Sequence, residues 1–198
     1  MTHLLIATIA AFSIAIPSRI PAQSQSVSAS SRTRQIAALF AKSKHVVKEK
    51  RGVRIEKYKR VSVEPVIAAN PTIFSGTYRT PDADFVVRLR VGSDGIIEGS
   101  GVDPLDVDSR ISRPFTLVEG RVRGALLTAT KLYRDGKRES IEGVFMERTS
   151  FESPQDHGIK TFGLGVLTKP MQIGGNIIDR LFYERAQGEM AQGNTGYR

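Results

Sequence analysis

The 198-residue chain is predicted to be mainly β, an antiparallel meander that closes into a small β-barrel and is preceded by one amphipathic helix. Three observations carry that prediction: period-2 alternation over residues 85–148, two Asp-Gly loops inside that stretch, and glycines that fall opposite large apolar residues. Phe85, Val87, Leu89 and Val91 share one face of a strand, while Arg88 and Arg90 share the other. Ser93-Asp94-Gly95 reads as a three-residue loop with Gly95 left-handed. The returning strand then sets Val91 opposite Ile97, Leu89 opposite Gly99 and Val87 opposite Gly101 inside, with Arg90 opposite Glu98 outside.

The second hairpin joins strands over 121–133 and 137–148 through Arg134-Asp135-Gly136. The same register places Ala129 against Ile141, Leu127 against Gly143 and Ala125 against Phe145, with Lys131 meeting Glu139 and Glu142 outward beside Thr128. Pairing large with small suits a sheet coiled tightly on itself, where two bulky opposed residues would collide. A two-layer β-sandwich with the same alternation is the alternative fold.

From the start of the chain, residues 4–16 are an apolar run of thirteen, too short to span a bilayer and suited to a signal-peptide core. Residues 1–22 are therefore expected to be a signal peptide cleaved after Ala22, which makes the protein exported, periplasmic or extracellular. An uncleaved anchor is the alternative, because no Lys or Arg precedes the apolar run. The chain has no cysteine, which excludes disulfides, thiolate metal sites and a cysteine-linked lipid.

Residues 23–60 are expected to be a Ser-rich spacer (23–31) followed by a basic helical arm. Ser31 or Thr33 offers a cap, and Ile36, Leu39, Phe40, Val46 and Val47 fall near one face of a 3.6-residue period. The arm concentrates charge in Lys42, Lys44, Lys48, Lys50, Arg51, Arg54, Lys57, Lys59 and Arg60. Residues 23–60 hold eleven Lys and Arg against two acids, a net of +9, whereas residues 61–198 hold seventeen against eighteen. Such asymmetry points to an oriented electrostatic surface. Either the helix and its charges hold the protein on an anionic membrane, or the apolar face packs on the barrel and leaves the charges solvated.

The barrel is expected over 61–185, with a tail at 186–198. Residues 58–63 read as an edge strand, and Glu64-Pro65 with Asn70-Pro71 punctuates a linker. Residues 73–78 read as the first barrel strand. Its Gly76-Thr77-Tyr78 is similar to the Gly-x-aromatic opening of lipocalin- and avidin-like barrels; the resemblance spans three residues and implies a barrel architecture. Asp103, Asp106 and Asp108 lack the spacing of an EF-hand loop and read as a solvated turn. Later strands are expected at 113–118, 161–166 and, after Gly174-Gly175, 177–185.

Catalysis finds little material. Beyond the signal segment the only histidines are His45 in the arm and His157 in a turn-rich loop, and no nucleophile, zinc or phosphate-loop motif occurs. No cofactor and no metal are expected. The reading is a non-enzymatic cell-envelope module whose arm contacts anionic lipid, lipopolysaccharide or an acidic polymer. The alternative is a lipocalin-like barrel that binds a small apolar ligand in the space left by Gly99, Gly101 and Gly143. A hydrolase with an acidic pair comes last. Nucleic acid is not expected as a partner, since the basic arm offers only Tyr58 for stacking.

Overall fold

Strands that pair in chain order and then return to the first of them make the sheet a closed barrel. The computed structural model describes residues 22–50, 53–81, 85–104, 112–153, 155–173 and 176–186. Helix α1 (Ala22–Ala38) is followed by β1 (Lys42–Lys50), β2 (Val53–Pro65), a 3-10 turn (Pro71–Phe74), β3 (Gly76–Arg79), β4 (Val86–Val91) and β5 (Ile96–Pro104). β6 (Ser112–Arg123), β7 (Leu126–Tyr133), β8 (Arg138–Phe151), β9 (Ile159–Ile173) and β10 (Asn176–Arg185) complete the order. β3 to β10 form the eight-stranded antiparallel barrel, closed where Glu184 pairs with Arg79 and Arg185 with Tyr78. Residues 1–21, which hold all but the last residue of the segment expected to be a signal peptide, and residues 187–198, expected to be a tail, lie outside the described residues.

Both Asp-Gly hairpins have the expected register. Val87 pairs with Gly101, Leu89 with Gly99, Val91 with Ile97 and Arg90 with Glu98. Leu127 pairs with Gly143, Ala129 with Ile141 and Lys131 with Glu139. Gly95 and Gly136 sit at φ 77° and 79°, the left-handed geometry both loops demand. Each loop aspartate accepts from the backbone N–H two residues on, Asp94 from Ile96 and Asp135 from Lys137, both at 3.0 Å.

Four features of the chain differ from the sequence reading. Residues 121–133 are two strands, because Gly124 at φ 63° and Ala125 form a two-residue loop between Arg123 and Leu126. Ala125 then packs outside with Leu126, Val144 and Met146, so it makes no interior pair with Phe145; only its carbonyl accepts from the Phe145 N–H at 2.9 Å. Residues 73–78 are not one strand either. Asn70 accepts from the Thr72 N–H at 3.1 Å and starts a 3-10 turn with Pro71 in its first position, and β3 begins only at Gly76. That turn drives Phe74 wholly inside, 4.1 Å from the stacked Phe145 ring. Arg185 closes this end by donating to the carbonyls of Ile73 (3.1 Å) and Ser75 (2.8 Å).

The third and fourth differences concern the arm. α1 begins at Ala22 and runs through the Ser-rich stretch expected to be a spacer. It stops at Ala38, so Val46 and Val47 are not on a helix and residues 42–60 are no helical arm but the β1–β2 hairpin. The physical reason lies on β8, which has fourteen residues against eight in β7. β7 stops pairing at Leu126↔Val144, and the remaining edge of β8 from Met146 to Phe151 is taken by Pro65 to Arg60 of β2. A buried sheet edge left unpaired would strand backbone donors and acceptors, so the alternating residues 53–65 extend the sheet. The edge strand expected at 58–63 is thus an inner part of β2, which pairs with β1 up to Val61 and with β8 from Arg60 onward, and β1 is the edge.

Two cores result. Among the described residues nineteen buried hydrophobic side chains fill the barrel, including Phe74, Tyr78, Phe85, Phe115, Phe145 and Tyr183. Outside, Ile36 and Ala37 of α1 cover Ala125, Leu126, Val144 and Met146, with Phe40 reaching Gly165, where an added Cβ would lie 2.8 Å from its ring. Arg32 of α1 grips the outward Glu142 through Nε (2.9 Å) and Nη2 (2.5 Å). Of the two uses expected for the helix, the strap on the barrel is the one realised. The outward faces of β4 and β5 carry exposed Arg88, Arg90 and Glu98, the reverse of the apolar exterior of a membrane-spanning barrel.

Candidate anion-binding face

Period-2 alternation sorts the charges of the hairpin by face. Lys42 pairs with Val61, Lys44 with Lys59, Val46 with Lys57, Lys48 with Ile55 and Lys50 with Val53, so by backbone register all six lysines of the hairpin fall on one face with four aliphatic residues. The intervening pairs are Ser43↔Arg60, His45↔Tyr58, Val47↔Glu56 and Glu49↔Arg54. Both acids of the hairpin therefore lie on the opposite face. Of the nine basic residues singled out in the sequence, the fold brings six together, sends Arg54 and Arg60 to the other side, and leaves Arg51 outside the described residues. Arg60 lies over the Phe151 ring at 5.7 Å. Lys44 directly opposite Lys59 is a like-charge pair, which weakens a hairpin by a few tenths to about 1 kcal/mol.

The face runs down into a groove of about 510 Å³ at the foot of the hairpin. Lys42 and Lys59 enter it from β1 and β2, Arg148 from β8 and Arg180 from β10, with Leu39 and Phe40 of the turn after α1 along one side. Arg148 lies over the Phe182 ring at 5.1 Å. Arg180 donates to the Leu39 carbonyl at 2.6 Å and to Asp179 at 2.8 Å, closing the C-terminal end of the helix. Sequence reasoning missed Arg148 and Arg180, because their approach to the arm depends on β2 pairing with β8.

Inside the barrel, the space assigned to a small ligand is occupied. An added Cβ at Gly99 would lie 3.0 Å from Leu117 and 3.2 Å from Leu89, and at Gly143 it would lie 3.2 Å from both Leu164 and Val166. At Gly101 it would overlap the Phe115 ring. Lys131, the cross-strand partner of Glu139, turns its side chain inside. It is 4% exposed and bonds Asp103 Oδ2 at 2.7 Å, where the Tyr133 hydroxyl also donates at 2.9 Å. Asp103 Oδ1 is buried without a hydrogen-bond partner among the described residues. Asp103 is thus no part of a solvated turn; Asp106 and Asp108 lie outside the described residues. Burial, with the Asp103 charge nearby, pushes the Tyr133 and Tyr183 hydroxyls well above the ordinary tyrosine range.

Among the described residues no group of three His, Cys, Asp or Glu side chains is placed to hold a metal ion. Asp156 beside the exposed His157 serves the turn, accepting from the Gly158 N–H at 3.1 Å and the Glu152 N–H at 3.3 Å. These bonds hold its carboxyl below the usual range. Comparison of the chain with family models, with curated proteins and with solved structures finds no match in any of the three.

Proposed function

We propose that the protein is an exported, non-enzymatic barrel module that attaches to an anionic surface of the cell envelope through the lysine face of β1–β2. The observation that carries this reading is the sorting of the hairpin, with six lysines on one face and both acids on the other. Export rests on the apolar run at residues 4–16, and the choice among anionic lipid, lipopolysaccharide and an acidic polymer rests on charge alone. α1 spends its apolar face on the barrel, so attachment is electrostatic rather than by helix insertion. Each basic residue near an anionic surface contributes about 1 kcal/mol, and six of them about 6, which corresponds to binding in the tens of micromolar. An apolar ligand inside the barrel is the weaker reading, because the glycine positions meant to hold it are packed by neighbours.

Vesicle sedimentation tests the proposal. The protein should pellet with anionic vesicles at low salt and release at a few tenths molar, where the Debye length falls to roughly 5 Å. Exchange of all six hairpin lysines for glutamine should abolish pelleting. Binding that survives the exchange would move the contact elsewhere, and absence of binding to vesicles or acidic polymers at any salt would end the reading.

A further inference from the structure

We infer that the groove at the foot of the hairpin is a discrete site for the phosphomonoester head group of a membrane lipid. The inference rests on the surface-attachment reading for the approach to the membrane, and adds a chemical preference to it. Four cations reach one concavity of about 510 Å³ from four separate strands: Lys42, Lys59, Arg148 and Arg180. Such convergence is not what a solvated charge run produces, since a run spreads its charges along one strand. Among the described residues Asp179 is the only carboxylate bonded to any of the four, and its bond goes to Arg180 Nε. Arg180 is further committed to the Leu39 carbonyl, and Arg148 rests on Phe182. These two are held in place by the fold. Lys42 and Lys59 are exposed and have no ion-pair partner among the described residues. The set therefore offers two positioned guanidinium groups and two free ammonium groups to a single guest.

The guest must supply more than one negative charge in a small volume. A phosphomonoester carries about −1.5 to −2 at neutral pH on three acceptor oxygens, against −1 for a carboxylate or a phosphodiester. Guanidinium and ammonium groups together suit it, one as a planar fork and the other as a mobile point charge. Lipid rather than free phosphate is indicated by the rim. Leu39 remains 49% exposed beside the half-buried Phe40, an apolar lip next to four cations and continuous with the lysine face.

The test compares the full chain on phosphatidylcholine vesicles containing either phosphatidic acid or phosphatidylglycerol, at matched surface potential. Phosphatidic acid should bind about tenfold tighter. Lys42→Gln with Lys59→Gln, both at exposed positions, should bring that ratio close to one. Lys48→Gln with Lys50→Gln, away from the groove, should weaken both vesicle types and leave the ratio intact. A ratio of one in the unmodified protein, or a ratio unaffected by the groove substitutions, would overturn the site while leaving general attachment standing. Calorimetry with soluble dihexanoyl phosphatidic acid separates the two readings. Binding there, with no vesicle binding at any salt, would retain the site and remove the attachment reading; no binding there would remove the site alone. Inorganic phosphate binding as tightly as the short-chain lipid would overturn the assignment to a lipid.

Discussion

Lys44→Glu should strengthen the hairpin while weakening its attachment to an anionic surface. Lys44 and Lys59 are direct cross-strand partners, so the substitution converts a like-charge pair into an opposite-charge pair. Each half of that change is worth roughly 0.2 to 1 kcal/mol, which sums to about 0.5 to 2 kcal/mol of local stabilisation at low ionic strength. The gain should shrink toward zero near 1 M salt, where screening acts over about 3 Å. Lys44→Gln should give about half of it. Because β1 is the edge strand and opens before the barrel does, the suitable assay is amide hydrogen exchange across the β1–β2 pairs rather than global unfolding. Affinity for anionic vesicles should move the other way, since two unit charges at about 1 kcal/mol each correspond to a loss of roughly 30-fold. Slower exchange with unchanged affinity would show that the lysine face does not meet the surface. Unchanged or faster exchange at low salt would show that the two residues are not opposed.

Two further outcomes test the barrel itself. Gly143→Leu should lower the melting temperature by overpacking, because even a Cβ at 143 lies 2.8 Å from the Gly165 carbonyl and 3.2 Å from Leu164 and Val166; the expected cost is about 1 to 3 kcal/mol or more, and an unchanged melting temperature would place residue 143 in solvent. Stability should also fall at high pH. Burial raises the hydroxyls of Tyr78, Tyr133 and Tyr183 above the unfolded value near 10, so the folded state holds protons that the unfolded state releases; stability is intact below about pH 10 and declines above it. Ultraviolet titration checks this, with the three tyrosines ionising together with unfolding, and their free titration in the folded protein near pH 10 would refute their burial.

The two Asp-Gly hairpins were readable in advance because everything that sets their register lies within about fifteen residues. Loop glycines at 95 and 136 leave one backbone path, and the apolar alternation around them allows one choice of face. The turn at Gly124 is equally local, but Gly-Ala lacks the Asn or Asp that usually marks a loop, so residues 121–133 read as one strand; a glycine in the first position of a two-residue loop is the available signal. The 3-10 turn had its own signal in Asn70-Pro71, a cap followed by proline in the first position of the turn.

Charge asymmetry in residues 23–60 was evident from the sequence, but its geometry was not. Lysines at 42, 44, 48 and 50 populate one face of a strand, while the aliphatic residues between and before them also fit a helical period. Local pattern leaves that choice open. It is decided by the edge of β8 beyond Val144, roughly ninety residues away in sequence, which exists only because β7 ends where it does. The same distant edge carries Arg148 to the hairpin foot, and β10, returning along β9, brings Arg180 there. Which residues alternate is a property of neighbours along the chain. Which strand receives them, and so which cations meet, depends on backbone hydrogen bonds that no local segment can satisfy by itself.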